Sequence, residues 1–242
     1  MTPTYDHRLN VLDNGLRIVT ERLPGARSVS FGIWIEAGSR HEAPGQEGAA
    51  HLWEHLAFKG TARRSALDIA KSLDLLGGHS NAYTSREHTC FHARVVDNHL
   101  PEALDILADI ALSPRPSADD LSREKDVVLQ EIAMVEDDPE DCLMESFWGA
   151  IWPGCPVGHS ILGTPATVRA FGLPGLDAWR TAHYRPGSMI VSAAGSLDHD
   201  EFMALAGKHF GTLPPAGTAP APGGGAYRPT AFLKERDTEQ SH

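Results

Sequence analysis

The sequence predicts an α+β fold, with a mainly antiparallel sheet and helices packed on it. Residues 28–37 alternate apolar and polar side chains, which is typical of a strand with one face on a core. Two Ser-x-x-Asp patterns, at Ser65 and at Ser117, each predict the first turn of a helix. Strands precede and interleave with pairs of helices in no regular strand–helix–strand alternation, and this irregular order favours an α+β fold over a doubly wound one.

The first part of the chain predicts three strands. Residues 9–21 contain two apolar runs on either side of Asn14–Gly15, a dipeptide that accepts the positive φ angles of a tight turn, so they predict a β-hairpin. Residues 28–37 predict the third strand. Its core-facing side chains are predicted to be Val29, Phe31, Ile33 and Ile35.

A polar loop over residues 39–48 leads to the stretch AAHLWEHLAFKGT, residues 49–61, which contains the pattern H-x-x-E-H. On an α-helix His51 and His55 lie about 40° apart around the axis and one turn apart along it, and two imidazoles bind one zinc ion at this spacing. Glu54 lies about 60° to the other side of His51, so the three polar groups share an arc of about 100°. The pattern is the inverzincin signature, in which the glutamate activates water instead of binding the metal.

The remaining elements follow from capping signals and apolar runs. The helix that begins at Ser65 is predicted to end near Gly77. Thr164 followed by Pro165 predicts another helix start, and Asp198 predicts the N-cap of the last helix. Further strands are predicted over residues 79–84, 88–96 and 188–195, and further helices over residues 101–112, 117–135, 139–152, 176–183 and 198–210.

The longest predicted helix carries two candidates for a third metal ligand, which a zinc site needs in addition to two histidines. Glu124 and Glu131 are seven residues apart and therefore lie within about 20° of one helix face. Val127, Val128 and Ile132 are predicted to bury this helix against the core. A carboxylate on a buried face is costly unless it is paired or bound to a metal, so spacing leaves both glutamates open as ligands.

Composition excludes several classes of function. The formal net charge of −11 argues against nucleic-acid binding, because phosphate contacts need a basic face. The chain has three cysteines, Cys90, Cys142 and Cys155, without C-x-x-C spacing, which favours a reducing compartment over a disulfide framework. We see no apolar signal core and no apolar stretch of membrane-spanning length, so we expect a cytoplasmic protein with no membrane contact.

The chain is predicted to contain one folded domain and a short tail. Residues 1–213 form the domain, with ample apolar material for a core. Residues 214–229 are rich in Pro, Gly and Ala and predict a linker. Residues 230–242 suffice for one strand and no further domain.

Three segments together resemble the M16 family of zinc metalloendopeptidases, which includes pitrilysin, insulysin and the mitochondrial processing peptidase. They are GAAHLWEHLAFKGT (48–61), GGHSNAYTSREHTCFHARV (77–95) and REKDVVLQEIAMVEDDP (123–139). The resemblance is closest to the smaller bacterial and processing-peptidase-like branch. It implies that the domain is the N-terminal half of a clamshell of two homologous halves. Small departures fall on packing positions, with Leu52 and Trp53 where the family often has Phe and Leu.

The resemblance implies a catalytic role for five residues. In the family the third ligand is a glutamate at a separation comparable to the 75 residues between His55 and Glu131. One Zn²⁺ per chain would therefore be bound by His51, His55 and Glu131. Glu54 would be the catalytic base, and Glu124 a further carboxylate of the catalytic site that helps to hold it.

The resemblance also implies how a peptide substrate binds. The family binds its substrate as an added β-strand along an edge strand that residues 80–83 resemble, with Asn81 and Ala82 as the candidate contacts. A second M16-like half supplies an arginine and a tyrosine that bind substrate. Only residues 230–242 resemble the start of that half. We therefore expect either an N-terminal fragment or a partner subunit, in a homo- or heterodimer.

The sequence thus predicts a zinc-dependent metalloendopeptidase that hydrolyses peptide bonds in unfolded peptides and needs a second half for full activity. One alternative is a non-catalytic core-type subunit of the same fold, although such subunits typically lose the metal motif. Another is a lyase of the S-ribosylhomocysteine-cleaving type, with Cys142 or Cys155 as the third ligand. His88 and His92 share the spacing of His51 and His55, but in a strand they lie about 13 Å apart and do not share a metal.

Overall fold

A computed structural model of the chain describes residues 6–215, 221 and 223–233. Its strands are β1 (Asp6–Val11), β2 (Arg17–Arg22), β3 (Ser28–Ile35), β4 (His79–Thr84), β5 (Thr89–Val96) and β6 (Met189–Gly195). They form one six-stranded sheet in the order β1-β2-β6-β3-β5-β4. Every neighbouring pair is antiparallel except β2 and β6, which are parallel. The predicted α+β class is confirmed.

Eight α-helices complete the described part of the chain. They are α1 (Ala49–Ala57), α2 (Ala66–Leu76), α3 (Leu100–Leu112), α4 (Ala118–Asp137), α5 (Pro139–Ile151), α6 (Pro165–Ala170), α7 (Leu173–His183) and α8 (His199–Phe210). The side chains of Ser65, Ser117 and Asp198 accept hydrogen bonds from first-turn amides, as predicted. Helix α7 begins three residues before the predicted start, with Pro174 in its first turn.

The core lies on one face of the sheet. Val29, Ile33 and Ile35 of β3 are fully buried and Phe31 is 3% exposed, so the predicted inward face is confirmed. Helix α3 packs on β3 and β5, and α8 packs on β2. Strand β6 inserts between β2 and β3, and this long-range pairing joins the β1–β2 hairpin to the other strands of the sheet.

The predicted N-terminal hairpin is confirmed, with β1 and β2 joined by a turn in which Gly15 has φ 94°. Asn14 has a further role in this turn. Its amide nitrogen donates to the carbonyl of Phe210 at 2.8 Å, and its oxygen accepts from the amide of Leu16. The turn is thereby joined to the end of α8.

The predicted burial of one residue, Val127, is wrong. Val127 is 39% exposed, whereas Val128 and Ile132 are buried as predicted. Successive helix positions differ by about 100°, so Val127 faces away from the stripe that Glu124, Val128 and Ile132 present to the core.

The tail shows little regular structure where it is described. Residues 223–233 have no helix or strand, so the described part of the predicted final strand, residues 230–233, is not a strand. The rest of that predicted strand, residues 234–242, lies outside the described residues. Within the described ranges, no helix combines the length and apolar character that crossing a membrane requires.

Candidate metal centre

Helix α1 has one deeply buried face and one face that carries the polar motif. Leu52 and Leu56 are fully buried and Trp53 is 2% exposed, so this face fixes the helix in the core. The histidines of the motif face α4, which packs beside α1. The local sequence thus determines which face is polar, and packing brings that face to α4.

The three predicted ligands come together at this contact. The rings of His51 and His55 lie 4.6 Å apart between their centroids. Glu131 Oε2 lies 3.7 Å from the Nε2 atoms of both His51 and His55. One ligand atom from each residue lies within 4.8 Å of the others, and the described part of the chain contains no other such group of three His, Cys, Asp or Glu residues.

The chemistry of this group fits a zinc ion. Burial lowers the pKa of His51 to about 3, with a further contribution from His55, so its imidazole is neutral and can offer a lone pair. Glu131 Oε2 is buried without a hydrogen-bond partner in the described structure. A buried, unpaired carboxylate oxygen is costly, and a cation between the three residues would satisfy it. Two imidazoles and a carboxylate are a common zinc ligand set.

Glu124 lies behind His55. Its Oε2 atom is 3.1 Å from His55 Nδ1, and its Oε1 atom is 2.8 Å from Lys59 Nζ. With the proton on Nδ1, His55 donates to Glu124 and its Nε2 lone pair faces Glu131. Since Glu124 contacts the ligand candidate and not the space between the three, the geometry favours a positioning role over a direct catalytic one.

Glu54 has its two carboxylate oxygens in different environments. Its Oε2 atom accepts a hydrogen bond from Thr84 Oγ1 at 2.6 Å, and no hydrogen bond to Oε1 is found among the described residues. Burial raises the pKa of Glu54, Thr84 and His55 lower it, and Glu131 raises it. A half-buried carboxylate with one free oxygen suits a proton acceptor.

Two family models match this chain. Residues 17–165 match the model described as Insulinase (Peptidase family M16), which includes the whole candidate centre. The chain belongs to peptidase family M16. Residues 174–242 match the model described as Peptidase M16 inactive domain. Strand β6 falls in the second match yet lies in the middle of the sheet, so the folded unit of this M16 chain spans both matches.

Similar proteins carry related names. An uncharacterized zinc protease of Mycobacterium leprae is 45% identical over 239 residues, covering 96% of this chain and 53% of that protein. The uncharacterized zinc protease YmxG of Bacillus subtilis is 39% identical over 229 residues, covering 95% of this chain and 56% of that protein. The solved structure of a protease from Helicobacter pylori superposes with a TM-score of 0.85 at 26% identity, covering 91% of this chain and 54% of that one. The M16 chain thus spans about half the length of these relatives.

Strand β4 of the M16 chain forms one edge of the described sheet, since it pairs only with β5. Asn81 is exposed on it, and its side-chain oxygen accepts from the amide of Ala82 at 2.9 Å. The two predicted substrate contacts therefore lie on an edge strand of the sheet.

Sequence reasoning missed Thr84, which joins this edge to Glu54. A signal was present, because Thr84 follows Ala82 by two residues and so lies on the same face of β4. His88 and His92 join no metal group in the described structure, and His88 instead contacts Tyr83 and Ser85.

Proposed function

We propose that this chain is the catalytic half of a zinc-dependent metalloendopeptidase that hydrolyses peptide bonds in unfolded peptides. The observation that carries the proposal is the Glu131 Oε2 atom, which is buried without a hydrogen-bond partner beside the imidazoles of His51 and His55. These two imidazoles share the polar face of α1 with Glu54. The names of the relatives support zinc protease activity at the level of the family.

In this proposal His51, His55 and Glu131 hold one zinc ion, and Glu124 orients His55. Zinc, when bound, supplies Lewis acidity toward the peptide carbonyl and toward water. The free Oε1 atom of Glu54 accepts the proton of the attacking water and later delivers it to the leaving amine.

The substrate binds along β4 as an extra strand. Main-chain hydrogen bonds at Asn81 and Ala82 give affinity with little dependence on sequence, and only an extended, unfolded segment can make them. The Asn81 side chain must release the Ala82 amide when a peptide binds.

Full activity requires a second M16-like half, supplied by additional chain or by a partner subunit. The length of the relatives supports this, because the chain spans about half of them. The match described as an inactive domain gives little support to the alternative, a non-catalytic subunit. That match covers residues 174–242 and so contains neither the H-x-x-E-H motif nor Glu131.

The proposal is tested with Glu54→Gln in a protein extended to the length of the relatives. We expect zinc content to stay at about one per chain while hydrolysis of an unfolded peptide falls by about 10²- to 10⁴-fold. Glu47→Gln is the matched control, because Glu47 belongs to the loop before α1 and its side chain accepts a hydrogen bond from the nearby amide of Gly45. Undiminished hydrolysis by Glu54→Gln would contradict the proposal.

A further inference from the structure

The N-terminus of α1 is capped by a residue outside the helix. Its N-cap residue, Gly48, has no side chain and a left-handed backbone with φ 93°. Glu42 instead accepts from the amide of Gly48 with Oε2 at 2.9 Å and from the amide of Ala50 with Oε1 at 2.8 Å. Two of the helix's otherwise unpaired donors are thereby satisfied from six and eight residues away.

A local cap is sterically excluded here. A Cβ atom on Gly48 would lie 2.6 Å from the carbonyl oxygen of Leu162, so Ser, Asp or Asn cannot occupy this position without a backbone shift. The positive φ also disfavours them. The close approach of Leu162 therefore requires glycine at position 48. Because glycine has no side chain, the first amides of α1 need an acceptor from another part of the chain.

Burying the carboxyl group of Glu42 at this helix end costs free energy. It is 2% exposed, and no basic group in the described part of the chain acts on its carboxyl group. Burial raises the pKa of Glu42 to about 8, although the hydrogen bonds from the amides of Ala50 and Gly48 oppose the rise. The helix amides therefore offset only part of the cost of burying this carboxyl group.

The loop that carries Glu42 is itself attached beside the substrate edge. The amide of Ser39 donates to the carbonyl of Ser85, and the amide of Arg40 donates to that of Arg86. Both acceptors lie in the turn between β4 and β5. Glu42 therefore connects the first turn of α1 with the turn that follows the edge strand.

We propose that Glu42 is a positioning residue for His51. Ala50, whose amide it binds, immediately precedes His51, so Glu42 holds the helix turn from which that imidazole projects toward Glu131. Losing it lets the first turn fray and moves the imidazole, while His55, one turn further on, stays in place. The inference rests on the proposed function, because it takes His51 to be a zinc ligand.

The test measures the zinc dissociation constant of the chain by competition with a chelator, using zinc alone. Glu42→Ala is expected to weaken zinc binding by about 10- to 100-fold, the range seen when a partner that orients a metal ligand is lost. Glu42→Gln is expected to weaken it less, since one acceptor oxygen remains while the amide group opposes a helix N–H. Glu47→Gln, in the same loop, is expected to bind zinc like the wild type.

The variant Phe202→Leu, in α8, is the control that distinguishes a general loss of stability from the loss of the Glu42 cap. Phe202 is 1% exposed and lies in the core, so this variant lowers the melting temperature. It is expected to leave zinc affinity unchanged. Amide hydrogen exchange in the metal-free chain is expected to accelerate at Gly48 and Ala50 in Glu42→Ala and not in Phe202→Leu.

The outcomes separate the two proposals. Wild-type zinc affinity in both Glu42 variants would overturn the positioning role while the zinc site stands. A wild-type chain that binds no zinc would overturn the proposed function, and exchange at Gly48 and Ala50 would still decide whether Glu42 caps the helix. If Glu42→Ala does not fold, Glu42→Gln decides, and unchanged affinity and exchange in it would overturn the inference.

Discussion

At the scale of single residues, Glu54 depends on a neighbour that belongs to the substrate edge. Thr84 Oγ1 donates its only hydrogen to Glu54 Oε2, and Thr84 is the last residue of β4. Behind it, Thr89 donates its own hydrogen to the carbonyl of Ala37 at 2.9 Å. Thr84 therefore orients the carboxylate, and the remaining oxygen is the one that can accept a proton.

Replacing Thr84 with valine removes this hydrogen bond and keeps the shape of the side chain. A hydrogen bond to a charged group is worth about 1.5–3 kcal/mol, so we expect kcat to fall by about 10- to 100-fold with KM nearly unchanged. Thr84→Ser is expected to restore most of kcat. Steady-state kinetics on an unfolded peptide, with the extended protein, measure both values. A valine variant as active as the serine variant would show that Thr84 does not act on Glu54.

At the scale of elements, α4 presents two carboxylates to α1 at different depths. Glu131 reaches both Nε2 atoms, whereas Glu124 lies 3.1 Å from the far nitrogen of His55. Both face α1 because they are separated by seven residues, close to two helical turns. The helix pair thus determines which glutamate can be a ligand and which can orient one.

The two glutamates are expected to respond differently to loss of charge. Glu131→Gln should abolish stoichiometric zinc binding, because an amide is a poor substitute for the third ligand. Glu124→Gln should retain one zinc per chain with affinity lowered by about 10- to 100-fold. Metal analysis after dialysis, followed by chelator competition, measures both. Equal zinc affinity in the two variants would contradict this assignment of roles.

At the scale of the whole molecule, buried histidines make the metal-free chain sensitive to acid. His41 and His183 have ring centroids 6.3 Å apart, and His183 bonds the carbonyl of Trp179. Burial and the proximity of His183 lower the pKa of His41 below 6.5, and burial lowers the pKa of His183. The unfolded chain therefore binds more protons than the folded chain as the pH falls through this range.

The contribution of these two histidines to the free energy of unfolding should accordingly be complete above about pH 6.5 and decline below it, toward their lowered pKa values. His51 contributes in the same direction, so the test is a difference between two proteins. His41→Asn keeps an acceptor for the amide of Gly38 and should show a smaller loss of stability between pH 7 and pH 5. Urea unfolding of metal-free protein across this range measures the slopes. Identical slopes would exclude His41 as a source of the acid sensitivity.

Much of the candidate site could be predicted because its information is local. The spacing of His51, Glu54 and His55 places them on one helix face in any fold that keeps the helix. Only the resemblance to a family identifies Glu131 as the third ligand, since spacing alone leaves Glu124 equally eligible. The prediction for Val127 is wrong because, in the sequence, an apolar residue beside a buried stripe cannot be told from a member of the stripe.

By itself the sequence determined the α+β class, the hairpin, the capped helices and the polar face of α1, because each follows from turn chemistry, capping or periodicity within a few residues. Only the tertiary structure decided the contacts between distant segments. The insertion of β6 between β2 and β3, the contact of Thr84 with Glu54 and the remote cap from Glu42 are of this kind. Their physical reason is packing, which brings together groups that no local pattern links and then requires each buried polar atom to find a partner.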